Sequence, residues 1–321
     1  MHLPPTPHGV SINGLYPLND ISEVQTKTGW QAKVSFEVFP AKTEQGRNAL
    51  LSELKLLSAY SPSFISVTYG AGGKSQAGTA YTASQIQKTL QTDVMVHLTL
   101  AAQSRDDVLA TADQFSAAGI RQILALRGDQ PCGAVSLPQN SFTDTVELIR
   151  HLADRGWDKI RTSAYPDIHK DARNAETDFD WLIAKFDAGA SEAVTQFFFD
   201  ADSFFRLRDR LDRYGLADKL IPGILVFKNI EKMLGFARSC GVHIPAPLRV
   251  ELSRSHQTDL EEAHCLSVLL DLWLRLSSQG VERYHFYTLN KAQPLVMLLD
   301  LLGLPKQGIG AVTGRLPENC C

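Results

Sequence analysis

Eight short apolar or β-branched segments alternate with amphipathic segments along most of the chain, and this alternation constrains the fold more than any other feature. We predict eight strands, at residues 34–39, 64–69, 94–100, 122–127, 159–165, 193–199, 220–226 and 284–289. A strand, helix, strand repeat at this spacing requires right-handed crossovers and a parallel sheet. Eight repeats predict an α/β fold of one domain, a closed (β/α)8 TIM barrel.

The segments between the strands predict the outer helices. Their predicted ranges are 44–59, 80–90, 104–119, 143–155, 175–188, 201–214, 231–240, 260–279 and 292–302. Ser104 is a plausible N-cap for the third of these helices. We predict an irregular insertion at residues 241–259, which contain Pro245 and Pro247.

An open dinucleotide-binding sheet is the weaker alternative to the barrel. The only candidate for a dinucleotide turn is GAGG, which follows Tyr69. This turn lacks the GxGxxG spacing and an acidic residue at the end of a following strand.

Composition and charge predict an ordinary soluble globular protein without a nucleic-acid or membrane partner. The 321 residues are 44% hydrophobic and 21% charged, with a net charge of -3. We expect a loose arm at residues 1–30, the catalytic barrel at 31–304 and a tail at 305–321. The arm lacks the pattern of a signal peptide. Five cysteines without a CxxC motif predict reduced thiols in the cytoplasm, and no metal-ligand spacing occurs among the nine histidines.

Polar residues lie at the carboxyl end of each predicted strand, where the active site of such a barrel is located. They are Glu37, Thr68, Tyr69, His97, Thr99, Arg127, Asp129, Tyr165, His169, Gln196, Lys228, Asn229, Asn290 and Lys291. A whole ring of polar strand ends predicts a cavity for a large polar ligand. The alternative is a structural barrel with ordinary polar loops.

Glu37 is the strongest candidate for a catalytic residue. It lies within VSFEVFP, and we predict that its carboxyl group points into the barrel mouth. Desolvation there is expected to raise its pKa and to suit it to donating a proton, whereas a structural pair with an arginine is the alternative. Asp129, which follows the strand QILAL, supplies a second carboxylate in a different environment.

Other polar residues are candidates for binding a ligand. The Gln196 amide offers a donor and an acceptor to the edge of a heterocycle, while we expect residues 197–199 to be core packing. His169, Asp178 and Lys185 are candidates to bind ribose and phosphate oxygens.

Nine motifs occur in a fixed order: VSFEVFP, FISVTYGAGG, HLT, ALRGD, AYPDIH, KFDAGA, TQFFFD, IPGIL and HFYTLN. In this order they resemble the methylenetetrahydrofolate reductases of the bacterial, single-domain type, over nearly all of residues 34–303. The resemblance implies a barrel that holds FAD. NADH or NADPH would reduce the flavin, which would then pass hydride to 5,10-methylenetetrahydrofolate and give 5-methyltetrahydrofolate by ping-pong kinetics. It also implies a homo-oligomer.

The resemblance also implies roles for individual residues. Glu37 would protonate the bridging nitrogen of the folate, opening the ring to an iminium ion that accepts hydride, and the charge of Asp129 would favour that cation. The implied flavin-binding residues are Thr68, Tyr69, Ala71, His97, Arg127, Gly128, Asp129, Tyr165, His169, Ala172, Asp178 and Lys185. The implied substrate-binding residues are Thr68, Asp129, Gln196, Lys232, Phe236 and Lys291.

The chain departs from the family pattern at several positions. Trp181 and Ala184 replace Asn and Arg, and Lys232 and Lys291 replace Gln and Arg. Val226 stands where the family has proline, and KSQAG replaces a charged loop after GAGG. These departures put FAD affinity and polyglutamate preference in doubt.

Three other functions stay open. They are a flavin-free reductase with direct hydride transfer, a non-catalytic folate-binding or flavin-binding barrel, and a Schiff-base lyase. The lyase is disfavoured because Lys159 begins a strand and Lys228 follows one, so neither lies at a suitable depth.

Overall fold

The computed structural model describes residues 32–69, 76–128, 138 and 140–306, without the side chains of residues 76 and 77. Within these residues one parallel sheet contains β1 (Lys33–Val38), β2 (Ile65–Val67), β3 (Val94–Thr99), β4 (Gln122–Leu126), β5 (Lys159–Ala164), β6 (Glu192–Thr195), β7 (Leu220–Ile221), β8 (Gly223–Leu225) and β9 (Arg283–Tyr287). The strand order is β7-β6-β5-β4-β3-β2-β1-β9-β8. First and last strands of the barrel therefore pair, as the alternation predicts.

The predicted seventh strand is divided at Pro222. Proline has no N–H to donate to a neighbouring strand, so the ladder breaks there. β7 pairs with β6, whereas β8 pairs with β9. The Pro222 carbonyl accepts the His285 N–H at 2.9 Å, and the Gly223 N–H donates to the Thr195 hydroxyl at 2.8 Å. The two halves together occupy one strand position, and the sheet curls into a nearly closed barrel.

Ten α-helices of the described residues surround the sheet. They are α1 (Glu44–Ser58), α2 (Gln76–Leu90), α3 (Arg105–Ala117), α4 (Thr145–Asp154), α5 (Ala175–Asp187), α6 (Ala201–Asp212), α7 (Ile230–Cys240), α8 (Ala246–Ser255), α9 (Glu261–Ser278) and α10 (Gln293–Leu301). The Ser104 side chain accepts the Asp107 N–H, which confirms it as an N-cap. None of the described helices is both long enough and apolar enough to cross a bilayer.

The prediction of an irregular insertion at residues 241–259 is wrong, because this segment contains α8. Pro247 lies in the first turn of α8. Proline is tolerated there because the N–H groups of a first turn have no partner within the helix. The prolines that suggested irregular structure therefore mark where the helix begins.

Packing between the sheet and the helices forms the main core. Trp273 of α9 stacks on Tyr284 of β9 with ring centroids 3.7 Å apart, and Phe286 lies beside both rings. All three side chains are buried. These aromatic side chains attach the long helix α9 to the strand that closes the barrel.

The amino end of the barrel interior is filled by an ionic cluster. Arg161 is only 3% exposed, and its Nε lies 2.7 Å from Glu192 Oε2. Arg283 also pairs with Glu192. The Arg161 guanidinium lies 4.0 Å from the centre of the Phe64 ring, and that ring stacks on His285. These buried side chains fill the amino end of the interior, and the cavity that holds Glu37 lies toward the carboxyl end.

We expect Gly223→Ala to destabilise the barrel. A Cβ at Gly223 would lie 2.2 Å from the Thr195 carbonyl oxygen and 2.6 Å from the Tyr287 ring. A strand must move to relieve this overlap, so the free energy of unfolding should fall by about 3 kcal/mol. Chemical denaturation followed by circular dichroism measures the change.

The matched control is Gly235→Ala on α7, where a Cβ meets nothing within 4 Å. Replacing a helical glycine with alanine should raise the free energy of unfolding by about 0.5–1 kcal/mol. Equal effects of the two substitutions would contradict the proposed overlap.

Candidate active site

A cavity of about 200 Å³ opens at the carboxyl end of the barrel. Its polar lining residues include Glu37, His97, Ser163, Tyr165, Gln196, Tyr287 and Thr288. Phe197 and Phe236 add an apolar wall in which their rings stack 5.4 Å apart. The expected core packing of Phe197 is confirmed, since it is 2% exposed, but this ring also borders the cavity.

The Glu37 carboxylate lies among three polar side chains. Its Oε2 is 3.2 Å from His97 Nε2, in a contact too poorly aligned for a hydrogen bond, and 3.6 Å from His285 Nε2. The Ser66 hydroxyl donates to the same oxygen at 3.3 Å. The alternative that Glu37 pairs with an arginine is wrong, because its partners are imidazoles.

The expectation that the pKa of Glu37 is raised is also wrong. Burial by itself raises this pKa, but the positive potential of His97 and the polar contacts of both imidazoles, His97 and His285, with the carboxylate outweigh burial and lower it to about 2. Burial lowers the pKa of His285, although Glu37 acts in the opposite direction. The two imidazoles therefore favour the ionised form of the Glu37 carboxylate.

Strand register explains why these side chains meet. In β1, alternate residues point into the barrel, so Ser35 and Glu37 share one face. Ser35 is aligned with His285 of β9, and Glu37 is aligned with Ser66 of β2. The strand-end prediction missed Ser35, Ser66 and His285 because they lie inside strands. Alternation along neighbouring strands is the signal that could have found them.

A larger adjoining cavity of about 730 Å³ brings together five of the predicted residues. They are Arg127, Tyr165, His169, Gln196 and Phe236. The Tyr165 and His169 rings meet edge to face at 4.5 Å. Arg127 forms an ion pair with Asp171. Polar and aromatic surfaces together suit a ligand with a flat heterocycle and anionic groups.

Thr68 and Gly128 lie at two further strand ends. The Thr68 hydroxyl is buried and has no hydrogen-bond partner among the described residues. Gly128 has φ +82°, and a Cβ there would lie 2.9 Å from Thr99 Cβ. The Thr68 hydroxyl is thus available to hydrogen-bond a polar ligand, and the absence of a side chain at Gly128 lets a ligand approach the backbone closely. Nearby, the Tyr69 hydroxyl donates to Gln103.

Asp178 and Lys185 of α5 border a third depression, of about 480 Å³, beside Tyr165. Lys185 Nζ donates to the Ser163 carbonyl at 3.1 Å, and burial lowers its pKa to about 8. Asp178 accepts the His169 N–H at 2.9 Å. The Ala172 N–H donates to the His169 carbonyl within the same loop.

Among the predicted residues that the structure describes, Lys232 and Lys291 line none of the three cavities. Lys232 is exposed on α7, and Lys291 is exposed and pairs with Glu53. Asp129 and Ala71 lie outside the described residues.

The fold, together with the cluster of Glu37, His97 and His285, defines a class of protein. The class is the TIM-barrel enzymes with ionisable side chains at the carboxyl end of the barrel. The family model for methylenetetrahydrofolate reductase matches residues 23–303. The chain therefore belongs to the methylenetetrahydrofolate reductase family, as the motifs predict, and its reaction is the reduction of methylenetetrahydrofolate to methyltetrahydrofolate.

Individual relatives support this assignment. The chain is 36% identical over 276 residues to the 5,10-methylenetetrahydrofolate reductases of Salmonella typhimurium and Escherichia coli, covering 85% of this chain and 92% of each relative. It is 31% identical to methylenetetrahydrofolate reductase (NADH) 1 of Arabidopsis thaliana, covering 85% of this chain and 49% of that relative.

A solved structure confirms the fold. A Clostridium thermocellum protein described as binding two copies of 5-methyl-5,6,7,8-tetrahydrofolic acid superposes with a TM-score of 0.62 at 11% identity. The match covers 88% of this chain and 99% of that protein.

We expect Lys185→Met to stabilise the ligand-free protein. Because the pKa of about 8 in the folded protein lies below the ordinary lysine value of 10.5, protonation of Lys185 opposes folding. This penalty is complete below pH 8 and fades as the pH rises toward 10.5. The substitution should raise the free energy of unfolding at pH 7 by about 1 kcal/mol, with a smaller gain at pH 10.

Denaturation at both pH values measures this effect. Lys88→Met, at an exposed position on α2, is the control and should show no such pH dependence. A gain for Lys185→Met that is equal at pH 7 and pH 10 would show that ionisation is not its cause.

Proposed function

We propose that the reduction uses FAD as the bound hydride carrier and NADH or NADPH as the donor, with Glu37 as the general acid. The observation that carries the proposal is the position of Glu37, held among His97, His285 and Ser66 in the wall of a cavity. A buried carboxylate with imidazole neighbours can both hold and release a proton.

The flavin is proposed to occupy the adjoining cavity and the nearby strand ends. The proposed binding residues are Thr68, Tyr69, Ala71, His97, Arg127, Gly128, Asp129, Tyr165, His169, Ala172, Asp178 and Lys185. The orphaned Thr68 hydroxyl and the lack of space for a side chain at Gly128 support this choice. When bound, FAD would accept hydride from the nicotinamide and later deliver it to the folate.

Glu37 is proposed to protonate the bridging nitrogen of the folate. The bond between that nitrogen and the methylene carbon breaks, its electron pair goes to the nitrogen, and the carbon becomes an electrophilic iminium. We propose that Asp129 stabilises this cation. Gln196 would hydrogen-bond the pterin, and Phe236 would pack against the folate or the nicotinamide. Thr68, Lys232 and Lys291 complete the proposed substrate-binding set.

Visible absorption tests the proposed cofactor. The purified protein should be yellow, should bleach when NADH is added under argon, and should regain its colour with methylenetetrahydrofolate. NADH is the first donor to test because the name of the Arabidopsis thaliana relative specifies NADH. A colourless protein that FAD does not reconstitute would contradict flavin use.

We expect Glu37→Gln to separate the two half-reactions. The amide cannot supply the proton, so folate reduction should fall by about 10²–10⁴-fold, while flavin reduction by NADH stays nearly unchanged. Anaerobic stopped-flow absorbance measures each step. Glu251→Gln, at an exposed position on α8, is the control and should retain both rates. Equal loss of both steps in Glu37→Gln would contradict the acid role.

Direct hydride transfer without flavin is the second candidate. Trp181, which is 49% exposed on α5, and Ala184 replace two polar side chains of the family pattern, and this favours a weaker flavin site. A flavin-free preparation that oxidises NADH or NADPH only when methylenetetrahydrofolate is present would select this candidate. Such a preparation would still require Glu37 as the acid.

A further inference from the structure

We infer that Ile168 is a positioning residue. Contacts on both sides hold its strained backbone in the turn between Tyr165 and His169, and this turn makes His169 a fixed hydrogen-bond donor at the wall of the cavity of about 730 Å³. The inference rests on the proposed flavin site, which includes His169. It adds Ile168 and Asp167, two residues that lie between members of that site.

The backbone of Ile168 is strained. Its φ of +73° lies in the left-handed region, where the Cβ of an L residue comes too close to a carbonyl oxygen of the backbone. Among the described residues other than glycine that have a positive φ, Ile168 alone is β-branched. Its side chain is 43% exposed, so burial offsets little of this cost. Strain of this kind persists only where the surrounding structure fixes the backbone.

Two hydrogen bonds fix the backbone at and after Ile168. The Ile168 N–H donates to the Tyr165 carbonyl at 3.3 Å, which closes the turn. The His169 N–H donates to the Asp178 carboxylate at 2.9 Å, which attaches the turn to α5. Release of the strain would therefore break at least one of these hydrogen bonds.

Asp167 holds the amino side of the strained residue. The backbone N–H of His243 and the side chain of Ser203 on α6 interact with its carboxyl group. Burial raises the pKa of Asp167, although both of these neighbours lower it. The turn is thus attached to α6 and to the segment that follows α7, as well as to α5.

The turn also defines the tautomer of His169. The Asp171 N–H donates to His169 Nδ1 at 3.1 Å. A backbone N–H can only donate, so Nδ1 accepts and neutral His169 carries its proton on Nε2. Burial and the charge of Arg127 lower the pKa of His169 and favour this neutral form. The Tyr165 ring, edge to face at 4.5 Å, restricts the imidazole further.

The position of the turn matters for ligand binding because it separates two cavities. Residues 166–168 line both the cavity of about 730 Å³ and the depression of about 480 Å³. Arg127 and His169 line the larger of the two. A ligand group with anionic oxygens can therefore accept a hydrogen bond from His169 Nε2 in the cavity where Arg127 supplies positive charge. Relaxation of the turn would remove that donor.

A double-mutant cycle at Asp167 and Ile168 tests the inference. In Asp167→Ala the amino-side contact is lost while the strain remains, so the turn should relax and the apoprotein should bind FAD about tenfold more weakly. Ile168→Gly removes the strain, because glycine adopts a positive φ without a clash, and should bind FAD as the wild type does. In the double variant the tenfold loss should disappear, since the turn no longer needs Asp167. Flavin fluorescence titration measures each affinity. A tenfold loss from Asp167→Ala in both backgrounds would overturn the inference.

Nitrogen NMR of ligand-free protein labelled with ¹⁵N-histidine tests the tautomer without any flavin. The His169 signals, assigned by their loss in His169→Gln, should show a protonated Nε2 and a bare Nδ1 in the wild type. Asp167→Ala should give a mixture of tautomers, and adding Ile168→Gly should restore the wild-type pattern. A proton on Nδ1 in the wild type would overturn the inference. If no variant binds FAD but the NMR shows this pattern, the proposed flavin site fails while the role of Ile168 is supported.

Thermal unfolding tests the strain itself. Ile168→Gly should raise the melting temperature by about 2 °C. The matched control is Val250→Gly, at another β-branched and half-exposed position, which lies within α8. Glycine weakens a helix there, so the melting temperature should fall. A similar fall in both variants would show that Ile168 is unstrained and would overturn the inference.

Discussion

The pairing of the first strand with the last is the interaction on which the site depends. β1 and β9 are separated by more than 240 residues in sequence, and their register aligns Ser35 with His285 and Glu37 with Tyr287. A shift of one residue would turn every inward side chain of β9 outward. The imidazole would then leave Glu37, and apolar Phe286 would enter the barrel. Closure of the sheet and assembly of the acid cluster are therefore one event.

The barrel interior changes character along its axis. At the amino end, Arg161 and Glu192 neutralise each other in a packed ionic cluster. Phe64 separates that cluster from His285, with Arg161 over its ring and the imidazole stacked on it. Glu37 follows at the accessible end. Polar and ionisable side chains therefore lie one above another along the barrel axis. Their burial is tolerated because each has a neighbour that offsets its charge or forms a hydrogen bond with it.

The sequence predicted correctly those features that a local pattern determines, such as the strand positions. It failed for properties that depend on contacts between residues distant in sequence. The eight strand positions are confirmed because alternation requires them, with Pro222 only dividing the seventh. The insertion at residues 241–259 was misread because a proline that ends one helix can equally begin another. The pKa of Glu37 was predicted in the wrong direction because burial was visible in VSFEVFP, whereas the two imidazoles come from β3 and β9.

The sequence by itself determined the α/β class, the number of strand positions, the family and the identity of Glu37 as the central acid candidate. These properties follow from periodicity, from strand ends and from ordered motifs, all of which are local. Only the tertiary structure decided which groups surround Glu37 and that two imidazoles from other strands lower the pKa of its carboxyl group. Those properties depend on register between distant strands and on distances of 3 to 4 Å, which hydrophobic periodicity does not encode.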